Sequence, residues 1–208
     1  MLRKLTNGWP LLGATSAALM LMAAAILLFQ PDLDGLHAVL RATGRSSLVF
    51  FLLAFSASAL WRLWPGAWSR WQLRNRRYLG LSFAASHTIH LFALAGLAWP
   101  DPAKFFRGTH TSTLVFGALA YGFIFALAAT SFDRSAAWLG ARRWALLHRV
   151  GSYYIWAIFF LTFLAGAASG APRYWTGVAA VLAVMTLRVG ASFRIRAAPG
   201  LASPPVQM

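Results

Sequence analysis

Two histidines, His87 and His90, stand near the middle of SFAASHTIHLFALAGLAWP, residues 82–100, a run apolar enough to cross a membrane. An ionisable side chain placed in hydrocarbon is a functional hypothesis by default. Neutral imidazole costs less there than a fixed charge, and it is a good axial ligand for haem iron. Three residues apart, the two rings share one helical face, one turn offset along the axis. One could face a cofactor while the other bonds a neighbouring helix; the spacing is equally compatible with two interior hydrogen-bonding groups. A zinc site is the weaker idea, because no carboxylate or cysteine lies nearby in a span to complete tetrahedral coordination. His148, in RRWALLHRVGSYY, opens a later apolar run; beside Arg149 it also suits a membrane interface. His110 and His37 fall in connections and read as solvent-facing. Tyr153, Tyr154 and Trp156 read as interior packing, although such rings would also line a flat cofactor.

The composition says what must position these groups. Of 208 residues 59% are hydrophobic and 11% charged, where a soluble domain carries about a quarter charged. Mean hydropathy is +0.61. This places the chain in the membrane class. A net charge of +15 would suggest nucleic acid in a soluble protein. Here the basic residues lie between apolar runs, which points to topology and away from a nucleic-acid partner. There is no cysteine, which excludes disulfides, thiolate metal sites, Cys-bound iron–sulfur clusters and covalent haem attachment.

Six segments are long enough to span or nearly so: 11–29, 46–64, 78–99, 111–132, 146–168 and 174–193. A helical span needs about 20 residues at about 1.5 Å each. The sixth carries Arg188, which near a helix end snorkels to the interface. The first, after Arg3 and Lys4, lacks a clear cleavage site and reads as a span, not a signal peptide. The expected fold is an all-α, six-helix transmembrane bundle over residues 1–196, followed by a disordered tail, 197–208. Fourteen Lys and Arg fall on one side and five on the other, together with three of the four aspartates. The positive-inside rule then predicts both termini in the cytoplasm. No Rossmann or P-loop pattern is present, so electrons for any redox chemistry must come from another component.

The strings ATGRSSLVFFLLAF (42–55), RNRRYLGLSFAASHTIH (74–90) and ARRWALLHRVGSYY (141–154) resemble the ferric reductase-like transmembrane domain family. Within it they are most similar to the MsrQ (YedZ) type, the haem-binding membrane subunit of the periplasmic methionine sulfoxide reductase system. The likeness covers roughly residues 36–196. Its most specific element is Arg76-Arg77-x-Leu79-Gly80-Leu81 followed nine residues later by His90, with Leu147-His148-Arg149 as a second anchor. The resemblance implies haem b between the third and fifth helices of a bacterial inner-membrane protein. It implies electron transfer from a cytoplasmic flavin reductase or the quinone pool to a periplasmic molybdenum-cofactor partner. His90 and His148 are then the expected iron ligands, with His87 a further cofactor-binding candidate and FMN or a quinone a further cofactor. Such a subunit is part of an oxidoreductase system rather than a stand-alone enzyme.

One departure stands out. The family usually has another histidine thirteen residues further along the fifth helix, and here that position is Leu161. Counted from the basic anchors Arg77 and Arg143, His90 lies about 19 Å into its helix and His148 about 7 Å. The resulting mismatch of about 12 Å falls to about 7 or 8 Å for His87, and stagger or tilt absorbs part of it. Three arrangements fit: His148 pairing with His87 or His90, one histidine per haem with a weaker second ligand, or the loss of a haem. One retained haem b with His90 as ligand is the expectation. Two rivals are a metal reductase carrier with a different partner, and a transporter or scaffold that kept the fold without cofactor.

Overall fold

The computed structural model describes residues 6–197, which are mostly helical with no strand among them, and the helices named below are those of the described residues. Nine α-helices follow in order: α1 (Gly8–Phe29), α2 (Leu33–Leu63), α3 (Ala67–Arg74), α4 (Arg76–Ala98), α5 (Pro102–Gly108), α6 (Thr111–Ala129), α7 (Asp133–Leu139), α8 (Ala141–Ala168) and α9 (Trp175–Ala197), with a 3₁₀ turn at Pro172–Tyr174. Six of them, α1, α2, α4, α6, α8 and α9, are long and apolar enough to cross a membrane. This is the all-α, six-span class expected from the apolar runs. Where there is no water, only a helix or a closed barrel satisfies its own backbone. Residues 198–208, most of the expected tail, lie outside the described residues, as do Arg3 and Lys4; Ala197 ends α9.

The second span differs from expectation. It begins at Leu33, thirteen residues before the apolar run at 46, and its 31 residues extend over about 46 Å. Asp32 starts it, its Oδ1 accepting from the Gly35 amide at 3.0 Å. Leu36 and Leu40 then face the core of Ala23, Val39 and Ala93, while Arg41 and Arg45 on the other side are exposed. The chain reverses between α1 and α2 in three residues, and Gly35 permits this: a β-carbon there would collide with the Gln30 carbonyl. His37 therefore sits on a helix rather than in a connection, exposed, with Nδ1 2.8 Å from the Leu33 carbonyl. The later connections also carry short helices. Asp101 caps α5 through the Lys104 amide (2.8 Å), and Gly140, at φ 78°, joins α7 to α8.

The chain divides into two compact units. The first holds the chain up to Phe51 together with Arg77–Phe125; the second holds Leu52–Arg76 and the chain from Ala126 onward. In the first, small hydroxyl residues join the helices. Thr15 Oγ1 lies 2.7 Å from Ser82 Oγ, Ser46 Oγ lies 2.9 Å from Ser86 Oγ, and Ser86 Oγ donates to the Thr43 carbonyl at 3.0 Å. Thr43, Ser82 and Ser86 are fully buried. Without a hydrophobic drive between helices in lipid, close packing and such bonds hold them together.

In the second unit, Gln72 of α3 is fully buried and donates from Nε2 to the Leu53 carbonyl (2.6 Å) and to Ser56 Oγ (2.9 Å) of α2. Trp156 of α8 donates to the Val181 carbonyl of α9 at 3.0 Å. These two helices touch where Gly177 leaves room for the Phe163 ring. Arg188 turns onto its neighbouring helices. Its Nη1 donates to the Phe55 carbonyl at 2.6 Å, and its guanidinium lies 4.0 Å over the Phe55 ring and 5.2 Å from that of Tyr153. Planar delocalised charge stacks well on aromatic faces, which makes this inward pose favourable.

Gly177→Ala is expected to destabilise the protein by about 1–3 kcal/mol through collision with Phe163. Thermal unfolding in detergent checks this, and adding Phe163→Leu should recover part of the loss.

Candidate haem-ligating site

His87 and His90 belong to the first unit and His148 to the second; each environment is set by its own neighbours. In the first, the shared helical face predicted from the spacing appears as two near-parallel rings, with centroids 5.3 Å apart and planes 16° apart. His87 also lies against Phe83 (4.9 Å) and Tyr121 of α6 (5.6 Å). The imidazole one turn back is thus packed in an aromatic sandwich.

His90 is held by a more specific device. Its Nδ1 is 3.0 Å from Thr43 Oγ1, and Thr43 Oγ1 donates its proton to the Val39 carbonyl at 2.7 Å. A hydroxyl has one proton. Placed on Val39, it leaves the oxygen an acceptor for an Nδ1–H of His90, the assignment that satisfies both bonds. The lone pair is then on Nε2. This is the arrangement in which metal-binding histidines are held: one nitrogen donates to a fixed acceptor and the other is available to a metal. Gly44, one residue beyond Thr43, faces the same ring, and a β-carbon there would come only to ordinary contact, 3.8 Å, with His90 Cε1.

The same logic gives His148 the opposite tautomer. Its Nε2 is 3.0 Å from Thr130 Oγ1, and Thr130 Oγ1 donates to the Ala126 carbonyl at 2.7 Å. The assignment that satisfies both bonds puts the proton on Nε2 and the lone pair on Nδ1. The Trp144 ring stacks on this imidazole at 4.2 Å and 26°, while its Nε1 donates to the Thr130 carbonyl at 2.8 Å. To offer Nε2 to a metal, His148 must first leave Thr130.

Leu161 is 57% exposed, and His110 is exposed. Tyr153 packs edge-on against Phe55 at 5.4 Å. Three contributors were not singled out from the sequence: Thr43, Thr130 and Tyr121. The two threonines lie beside glycine or serine in strings that read as boundaries. Tyr121 was one aromatic among many, yet its Oη is buried with no hydrogen-bond partner among the described residues. A polar atom in register with His87 inside a charge-free run was the available signal. Among those residues no three His, Cys, Asp or Glu cluster as a metal cage; a haem iron needs only one or two protein ligands.

Comparison with protein-family models, curated proteins and solved structures found no match to this chain.

Thr43→Val keeps the shape but leaves the His90 Nδ1–H without its acceptor, with an expected loss of about 1–3 kcal/mol, whereas Thr43→Ser retains most of the bond. Unfolding curves, with ¹⁵N-histidine spectra reporting the His90 tautomer, distinguish the two.

Proposed function

We propose that this chain is a haem b-carrying electron-transfer subunit of a bacterial inner membrane. It passes electrons from a cytoplasmic flavin reductase or the quinone pool to a periplasmic molybdenum-cofactor methionine sulfoxide reductase. The observation that carries the reading is the Thr43–His90 pair: the imidazole is oriented, its Nδ1 proton is fixed, and its Nε2 is left as a donor. The residues fit a non-covalently held haem. A chain without cysteine has no thiolate for covalent attachment, and His90, oriented by Thr43, would hold the iron through Nε2. Bound there, haem would supply a one-electron iron couple in a low-dielectric setting, its potential tuned by ligand basicity and hydrogen bonding. The chain's own contribution is orientation. Thr43 keeps His90 from rotating and raises the basicity of Nε2 by accepting from Nδ1. His148 is the other ligand candidate that the resemblance carries over, and to hold an iron through Nε2 it would give up its Thr130 bond, whereas His87 buttresses the His90 ring. The identity of donor and acceptor rests on the family resemblance of residues 74–90 and 141–154.

The orientation with both termini in the cytoplasm belongs to the same proposal, supported by the fourteen-to-five division of basic residues. The natural absence of cysteine makes it directly testable. Single cysteines at Arg74 and at Lys104 should label with an impermeant maleimide from the cytoplasmic and the periplasmic face respectively; the reverse pattern inverts the topology.

The reduced-minus-oxidised spectrum of the purified protein should show a b-type signal that His90→Ala abolishes. Thr43→Val should weaken haem retention by about 10–100-fold, and His87→Ala should shift the spectrum without removing it. Wild-type protein without a Soret band after haem supplementation, or a His90→Ala spectrum identical to wild type, refutes the reading.

A further inference from the structure

The charges of the second unit are unevenly balanced. Its sequence contains twelve arginines and one acidic residue, Asp133. Most of these cations stand in the short helices or near the ends of the spanning ones, where topology alone accounts for them. Three reach back to α2. Arg188 reaches from α9 to the Phe55 carbonyl (2.6 Å), Arg76 reaches Ser58 Oγ (3.3 Å), and Arg194 reaches the Leu63 carbonyl (2.9 Å). Arg62 belongs to α2 itself. Phe55, Ser58 and Arg62 are spaced i, i+3, i+7 and so share one face of α2. The anchors from Phe55 to Leu63 cover only about 12 Å of its last two turns. The heads of Arg76 and Arg188 are therefore drawn onto the stripe of α2 on which Arg62 also stands, and Arg76 lies near enough to both to feel their like charge.

Neutral acceptors hold these heads in place but do not cancel their charge. An arginine offers five N–H donors; Arg188 spends Nη1 on Phe55, and its Nε is buried with no hydrogen-bond partner among the described residues. A like-charge row with unspent forked donors, beside the apolar faces of spanning helices, is suited to a doubly accepting oxyanion. We propose that the α2 stripe is a binding site for a phosphate group, with Arg188 as its inner and Arg62 and Arg76 as its outer donors, at the membrane surface where α2 ends. An anionic phospholipid headgroup and a soluble phosphate share this chemistry.

The test uses the full-length protein purified in an uncharged maltoside detergent. One arm titrates phosphatidylglycerol against phosphatidylcholine, counting retained lipid by native mass spectrometry and following thermal stability. The other titrates inorganic phosphate against chloride at equal ionic strength. Preferential retention of phosphatidylglycerol, weakened about fivefold per arginine in Arg188→Gln and in Arg62→Gln, supports the site with lipid as its source. Stabilisation by inorganic phosphate beyond chloride, lost in the same variants, supports it with a soluble source. Arg62 is exposed and anchors no carbonyl of another helix, so Arg62→Gln reports on binding even if Arg188→Gln fails to fold. Equal retention of both lipids with no phosphate effect, or variants that behave as wild type, overturns the proposal.

Discussion

Inside hydrocarbon a serine or threonine hydroxyl has no water to take its proton, and the nearest acceptor is the carbonyl four residues back on its own helix. This constraint runs through the protein. Thr15 donates to Leu11, Thr43 to Val39, Ser56 to Leu52, Thr130 to Ala126 and Ser152 to His148. Once the proton is spent locally, what the hydroxyl presents to its neighbours is a fixed acceptor. Side chains that carry N–H groups are then sorted by which hydroxyl they meet. Gln72 turns its amide nitrogen to Ser56, His90 its Nδ1 to Thr43 and His148 its Nε2 to Thr130. A local backbone habit thereby determines which nitrogen of each histidine is available for chemistry.

It also makes the two histidines unequal in a way their residue type does not. His90 is held as a ligand is held. His148 is held by the nitrogen that metals most often use, and it has a tryptophan stacked on its face. Metal at His148 therefore requires a rearrangement that His90 is spared. His87 owes its place to aromatic neighbours and behaves as the wall against which the His90 ring stands.

The six helices were legible because apolar length is a strong signal where the solvent is lipid. The ends of α1, α4 and α8 lie within a few residues of the apolar runs. The start of α2 was not, because Pro31, Asp32, Asp34 and Gly35 have the composition of a loop and Arg41 and Arg45 interrupt the hydrophobicity. What extends the helix is packing of Leu36, Val39 and Leu40 on one face, a period visible only once the charged residues are placed on the other. The pairing of His87 with His90 followed from spacing. Their partners did not, because Thr43 is 47 residues from His90 and Thr130 is 18 from His148. Arg188 was read from its nearness to a helix end, and the choice between interface and interior was decided by Phe55 and Tyr153, which no local rule connects to it.

The Arg188–Phe55 bond closes a loop of 133 residues, and this has a consequence for biogenesis. The C-terminal turns of α2 leave the ribosome early, while the guanidinium that caps the Phe55 carbonyl is made 133 residues later. At ordinary synthesis rates the delay is on the order of ten seconds. Through that interval α9 is unmade and the row of cations along α2 is one member short. A charge of this kind is costly to place within a span on its own. The final helix therefore gains a reason to insert only when α2 is already waiting with a carbonyl and one aromatic face, and α8 with a second. Assembly in the order of synthesis is written into a single contact, and a chain truncated before α9 loses that late clasp along with its sixth span.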